Sequence, residues 1–319
     1  MKGIVCLKRE MITGKYCYHR RTDVIPYKKI TLADRGWMQE KLRESGLRGS
    51  EYCFPNQFLW GNLIGMKAAE VEGCLCTAYR AQGQTAFHDF PTGAGDIGAA
   101  INAVLEDDRQ QGKQTVFRGI PENERNWMEI TFPAMFSYEE KRDEWDYLYN
   151  VEELAALQGR RFHGKRNHIA RFRDQGNWEY SPLDETRLEA CARMYESWFK
   201  QNADRLDASA VKEKAVVKGC LSYFNELELQ GGVLSREGGV VGFCIGSVLT
   251  QDTFIVHIEK AYTDIQGAYP MLNQQFVLHN MEGFRYVNRE DDLGLEGLRR
   301  AKLSYHPEIL LKKYMALIV

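Results

Sequence analysis

No stretch of this sequence is apolar for long enough to cross a bilayer. The longest, Gly239 to Leu249, falls well short of the ~20 residues a spanning helix needs, so no integral membrane segment is expected. Met1 to Arg21 is basic but lacks the apolar core of a secretory signal, and residues 1–22 read as a basic arm. Excess charge of one sign is missing too: 42 Lys and Arg face 44 Asp and Glu, a formal net charge of -2. That excludes a globally basic coat for nucleic acid, so any such contact must come from a local patch. None of the eight cysteines forms a Cys-x-x-Cys pair. Cys74 and Cys76 share a strand face, but no second pair follows at zinc spacing, and no metal site is expected. Scattered thiols in apolar settings, such as Cys244 beside Phe243 and Ile245, read as reduced and buried, which fits a cytoplasmic location.

What is present is an ordinary globular composition, 44% hydrophobic and 27% charged over 319 residues, long enough for two domains. The chain carries one pattern twice. In the first half, strands are expected over Leu63–Glu72, Cys74–Tyr79 and Thr85–Phe90, then a glycine-rich loop, a helix opening at Asp96, and a strand over Gln114–Ile120. In the second, the corresponding strands are Gly232–Arg236, Val240–Leu249 and Thr253–Lys260, then a helix opening at Asp264 and a strand over Phe284–Arg289. Asp96 and Asp264 are both expected as helix N-caps. Between the halves, residues 151–174 read as helix, interrupted near Gly159 and Gly164, and the two domains are expected at 23–150 and 151–319.

Three groups of residues could carry chemistry. The first is a basic run, Arg160, Arg161, His163, Lys165, Arg166, His168, Arg171 and Arg173. It reads equally as a phosphate-binding face or as a solvated helix face. The second is the block from Asn288 to Pro307. There Arg299, Lys302 and His306 fall at i, i+3, i+7 and could face one cleft, with Leu295, Leu298 and Leu303 as core candidates. Gly294 and Gly297 bring no helix propensity and point to a close approach by a ligand or chain. The third is the strand Phe254–Lys260, where alternation sets His257 and Glu259 on one face. Acid–base work and a buried structural hydrogen bond are both open readings. Two weaker signals are the loop Gly93–Gly98 and Gln266-Gly267-Ala268, whose spacing does not match an acetyl-CoA pyrophosphate loop.

The chain resembles the DUF2156 family, related to the C-terminal catalytic domain of phosphatidylglycerol lysyltransferase. The resemblance is carried by Arg161-Phe162-His163-Gly164-Lys165-Arg166-Asn167-His168-Ile169, Glu259-Lys260-Ala261, and Asn288-Arg289-Glu290 through Gly297-Leu298-Arg299, Lys302 and Tyr305-His306-Pro307. It runs from about Ile25 to the C-terminus and implies an α/β fold of two tandem GNAT-like acyltransferase domains. It also implies transfer of an aminoacyl group from aminoacyl-tRNA to an amine or hydroxyl, which makes tRNA a partner. Acetyl-CoA is the alternative donor, and a non-catalytic binding module is a third reading. On the resemblance, Arg161, Lys165, Arg166 and Arg299 would anchor donor phosphates, and Lys302 would anchor a phosphate or support an oxyanion. Glu259 and Asp292 would take the acceptor's proton, and Asn167, Lys260, Arg289 and Tyr305 would contact substrate.

Overall fold

The computed structural model describes residues 24–80, 83–203 and 208–319, so the expected N-terminal arm lies outside the described residues. Fourteen strands are described: β1 (Lys28–Lys29), β2 (Lys67–Val71), β3 (Cys74–Arg80), β4 (Thr85–Asp89), β5 (Gln114–Pro121), β6 (Phe136–Glu140), β7 (Asp146–Asn150), β8 (Trp178–Pro182), β9 (Gln230–Arg236), β10 (Gly239–Val248), β11 (Thr253–Ala261), β12 (Tyr286–Asn288), β13 (Ile309–Leu311) and β14 (Lys313–Ile318). The described α-helices are α1 (Arg35–Ser45), α2 (Phe54–Leu63), α3 (Ile97–Gln110), α4 (Glu122–Thr131), α5 (Val151–Ala156), α6 (His163–Arg173), α7 (Glu185–Gln201), α8 (Ala208–Ser222), α9 (Ala268–Asn280) and α10 (Glu296–Leu303).

They build two mixed seven-stranded sheets, in the orders β1-β2-β3-β4-β5-β14-β6 and β13-β7-β12-β11-β10-β9-β8. The repeated pattern is present as the same topology. Three antiparallel strands lead into a helix and a parallel return, with α3 between β4 and β5 and α9 between β11 and β12. The halves are not separate in sequence. β7, which ends at Asn150, lies in the second sheet, and β14, at the chain's end, lies in the first. The change of sheet therefore comes before 151. The apolar core follows this interleaving, since the cluster around Val71, Phe117 and Val216 takes in Phe243, Ile245 and Ile258 of the second sheet.

Local expectations held where a cap or turn is unambiguous. Asp96 caps α3 by accepting from the Ala99 amide at 2.9 Å. Its counterpart does not: α9 opens behind Gly267, at φ +84°, and Asp264 lies in the preceding loop. The strand expected from Leu63 begins at Lys67, because α2 runs through Leu63 and Gly65, at φ +72°, turns the chain out of it. The interdomain helix is broken at Leu157 (φ +47°) and Gly159 (φ +83°), while Gly164 sits inside α6 without breaking it.

Candidate active site

A cavity of about 940 Å³ opens between the two sheets, lined by α2, β11, α10 and the segment from Arg289 to Leu295. That segment is aimed by Asn288. Fully buried, Asn288 donates to the Arg48 carbonyl (2.7 Å) and to Asp146 (2.9 Å), and its own oxygen accepts from the Glu290 amide (2.6 Å). Glu290 takes φ +56°, and this turn carries Arg289, Glu290 and Asp291 onto the cavity wall.

Arg289 is the centre of the second-sheet end. Its Nη2 donates to both Glu259 oxygens (3.0 and 2.9 Å), and its guanidinium lies 4.8 Å from the Tyr305 ring and 5.4 Å from that of Tyr149. Burial disfavours its charge, but Glu259 more than offsets this and keeps it protonated. Its Nη1 is buried without a hydrogen-bond partner. Glu259 also accepts from Asn273 at 3.2 Å. Lys165 reaches in from α6, donates to the Ser304 hydroxyl (2.7 Å) and sits 3.6 Å from the Tyr305 ring centre. Burial, reinforced by nearby Arg289, lowers its pKa to about 8.

Lys302, from α10, donates to the carbonyls of Arg289 (2.6 Å) and Asp291, so it braces the turn that displays them. Burial lowers its pKa, and the same cause raises Asp291 to about 7. Lys260 pairs with Glu213 at 2.8 Å over the Trp198 ring. His257 is the extra residue of a bulge against Ile245 and Gly246. It bonds Ser247 at 2.9 Å and Glu290 at 3.3 Å, so of the two open readings it shows the structural hydrogen bond.

Lys165, Glu259, Lys260, Arg289, Lys302 and Tyr305 therefore line one cavity. So do His257, Leu295 and Leu298, whereas Arg161, Arg166, Asn167, Asp292, Arg299 and His306 do not. Asp292 is fully buried outside it and accepts from Arg299 (2.9 and 2.8 Å), Arg142 (3.3 Å) and the Tyr147 hydroxyl. Burial would raise its pKa, but these donors outweigh it and hold the group at about 2. Arg299 is correspondingly engaged by Asp292 and Asp143 and is not presented to a donor phosphate. His306 packs edge-on against Phe162, so the expected cleft of Arg299, Lys302 and His306 does not form. Leu295, Leu298 and Leu303 are exposed and not core. Gly294 needs its φ of +73° and passes Asp143 closely; nothing in the structure requires glycine at 297.

The basic run lies mostly on the exposed face of α6. Arg161 pairs with Glu153 (2.5 Å), Asn167 bonds His163 (3.1 Å), and Arg166 caps the carbonyls of Leu157 and Gly159. Sequence reasoning missed the first-sheet end of the cavity, formed by Glu51, Gln57, Asp89 and Arg118, together with Asp291. Arg118 offered the one usable signal, a cation within the apolar strand β5.

Both glycine-bearing turns that precede a helix have a close polar neighbour. The Ala94 amide before α3 donates to Glu44 at 3.0 Å, and at α9 a Cβ on Gly267 would lie 2.1 Å from the His168 carbonyl.

Residues 42–317 match the family model described as phosphatidylglycerol lysyltransferase, C-terminal. A conserved protein of unknown function from Bacteroides thetaiotaomicron VPI-5482 is 36% identical and superposes with a TM-score of 0.88, over 93% of this chain and 100% of that one. The C-terminal domain (DUF2156) of a putative lysylphosphatidylglycerol synthetase from Agrobacterium fabrum gives 0.64 at 13% identity, over 90% and 92%. L-PGS from Bacillus licheniformis gives 0.62 at 14%, over 88% and 90%. These likenesses agree with the two GNAT-like α/β domains described above. An uncharacterized protein from Mycoplasmoides gallisepticum is 24% identical over 201 residues, 61% of this chain and 62% of that relative's length.

Proposed function

The chain belongs to the phosphatidylglycerol lysyltransferase C-terminal family, and from that premise we propose that it transfers an acyl group, an aminoacyl group carried by tRNA. The observation that carries the reading is Arg289: a guanidinium at the wall of a large cavity, fixed by Glu259 and two tyrosine rings, with one buried nitrogen left unpartnered. Such a group recognises a phosphate or a developing oxyanion. Lys165 and Lys302 add positive charge at the same end. The cations of α6 outside the cavity would follow the tRNA backbone.

In the reaction, an acceptor nitrogen or oxygen attacks the ester carbonyl. The bond to the ribose oxygen breaks, and the acceptor's proton passes to that leaving oxygen. Asp291, with its pKa near 7, is suited to relay this proton, whereas Glu259 is tied to Arg289 and Asn273 and serves to position the guanidinium. The spacing of Gln266-Gly267-Ala268, which does not match an acetyl-CoA pyrophosphate loop, favours this donor over acetyl-CoA. The test is transfer of radiolabelled amino acids from a charged-tRNA pool in cell extract. The expected result is label moved into a non-tRNA product, with at least tenfold less in an R289K variant, since a lysine lacks the second nitrogen of the fork. No transfer for any amino acid, with no tRNA binding, refutes it.

A further inference from the structure

The first-sheet end of the cavity has the opposite chemistry from the Arg289 end. Glu51 gives one oxygen to Lys313 at 2.7 Å, and its other oxygen is buried without a partner. Gln57 is only 3% exposed, and its carbonyl oxygen is likewise unpartnered. The orientation of that amide is fixed, because its nitrogen donates to the Glu51 carbonyl at 3.2 Å. Asp89, 6% exposed, takes the Thr77 hydroxyl at 3.0 Å. All three residues line the cavity beside Trp60 and Tyr79.

The nearby cations do not neutralise this end. Arg118 is paired with Glu144 at 2.7 Å, and Lys313 is paired with fully buried Asp146 at 2.9 Å. Lys313 is shared with Glu51 at 2.7 Å, so four carboxyl groups, Glu51, Asp89, Glu144 and Asp146, face two cations, an excess of two acids. Burial pushes Glu51 up to about 8 and Asp89 up to about 6, as expected for acids whose charge lacks a full counter-ion. Unpartnered buried acceptors, two uncompensated acids and aromatic faces together match a cation that donates several hydrogen bonds.

We propose that Glu51, Gln57 and Asp89 form a subsite for the primary ammonium group of a substrate. It deepens the acyl-transfer reading and rests on it only for the origin of the ammonium. That group belongs either to an amine acceptor or to the amino acid being transferred. An amine acceptor gives an amide: one ammonium proton passes to a neighbouring carboxylate before attack, the new C–N bond replaces the ester C–O bond, and a second proton goes to the departing ribose oxygen.

The test is calorimetric titration of the full chain, without tRNA, with n-pentylammonium, L-leucine amide and the neutral n-pentanol. The expected result is saturable binding of an ammonium probe at least about tenfold tighter than n-pentanol, the scale of one charge-assisted hydrogen bond. Tighter binding of n-pentylammonium assigns the group to the acceptor, and tighter binding of leucine amide assigns it to the amino acid. D89N should weaken the favoured ammonium about tenfold. Q57L, which keeps every charge and removes the free acceptor together with the amide's bond to the Glu51 carbonyl, should do so even if D89N melts early. Equal affinity for n-pentanol, no saturable ammonium binding, or full affinity in Q57L and a folded D89N would overturn the subsite. Since tRNA is absent from the titration, such a failure is separate from failure of the transfer assay.

Discussion

Replacing Lys313 with methionine should test how the two halves are locked together. Lys313 opens the last strand, β14, in the first sheet, and its partner Asp146 opens β7 in the second. Both side chains are fully buried, and the ammonium donates to Asp146 (2.9 Å), Glu51 (2.7 Å) and the Ser50 hydroxyl (3.1 Å). Methionine fills similar volume, so the loss is chiefly electrostatic, leaving two carboxylates without their cation. Breaking a buried pair costs roughly 3–5 kcal/mol. Protonation of Glu51, already raised to about 8 by burial, relieves part of this at neutral pH. The sign then follows. A carboxyl whose folded pKa is raised destabilises the fold as pH climbs through its unfolded value toward the folded one, and losing Lys313 raises it further. Folded Glu51 stays protonated in both proteins below about pH 8, so its contribution cancels there, and the deficit of K313M relative to the parent should grow as pH rises past 8. Urea unfolding at several pH values measures it. A deficit under about 1 kcal/mol, or one that shrinks with rising pH, would refute the reasoning.

Two further outcomes concern the donor end. Lys165 deprotonates near pH 8, so affinity for a CCA trinucleotide should fall as pH rises through 8, and K165M should flatten that profile in fluorescence titrations. Changing Arg161, Lys165 and Arg166 together to glutamate should lower tRNA affinity and reduce the salt slope by about one unit per lost phosphate contact; unchanged binding at every salt concentration marks the run as a solvated face. Of the three, Arg166→Glu alone should also lower Tm, because it removes the cap on the Leu157 and Gly159 carbonyls.

The repeat was legible because its signals are local: β-rich runs separated by Gly73 and Gly83 in one half and by Gly238-Gly239 in the other, each leading to a helix. Asp96 works as a cap because the chain enters α3 extended, with φ -83° and ψ 95°. Asp264 fails because the two turns that follow it delay the helix to Ala268, and glycine then supplies the left-handed entry. The exchange of β7 and β14 left no local trace. It is decided by pairing across the chain, Tyr286 with Asn150 and Lys313 with Pro121, and by a buried ion pair between residues 167 positions apart.

The site divides along the same line. Residues close together in sequence around Arg289, Lys302 and Tyr305 were found as a block, although helical spacing misplaced their directions. Arg299 and Lys302 lie three apart on α10, yet one turns to Asp292 and the other to the carbonyls of Arg289 and Asp291. A buried carboxylate elsewhere attracts the longer cation more strongly than solvent does, and helix periodicity carries no information about it. Glu51, Gln57 and Asp89 escaped detection because each is unremarkable in its own segment. Glu51 lies in the approach to α2, Gln57 lies within that helix, and Asp89 ends a strand. Only the approach of the two sheets brings these three residues to the wall of the cavity that Arg289 also lines. A substrate that spans this cavity must therefore present an anionic or oxyanionic group toward Arg289 and a cationic one toward Glu51. Whether donor or acceptor carries the ammonium then decides the end at which each enters.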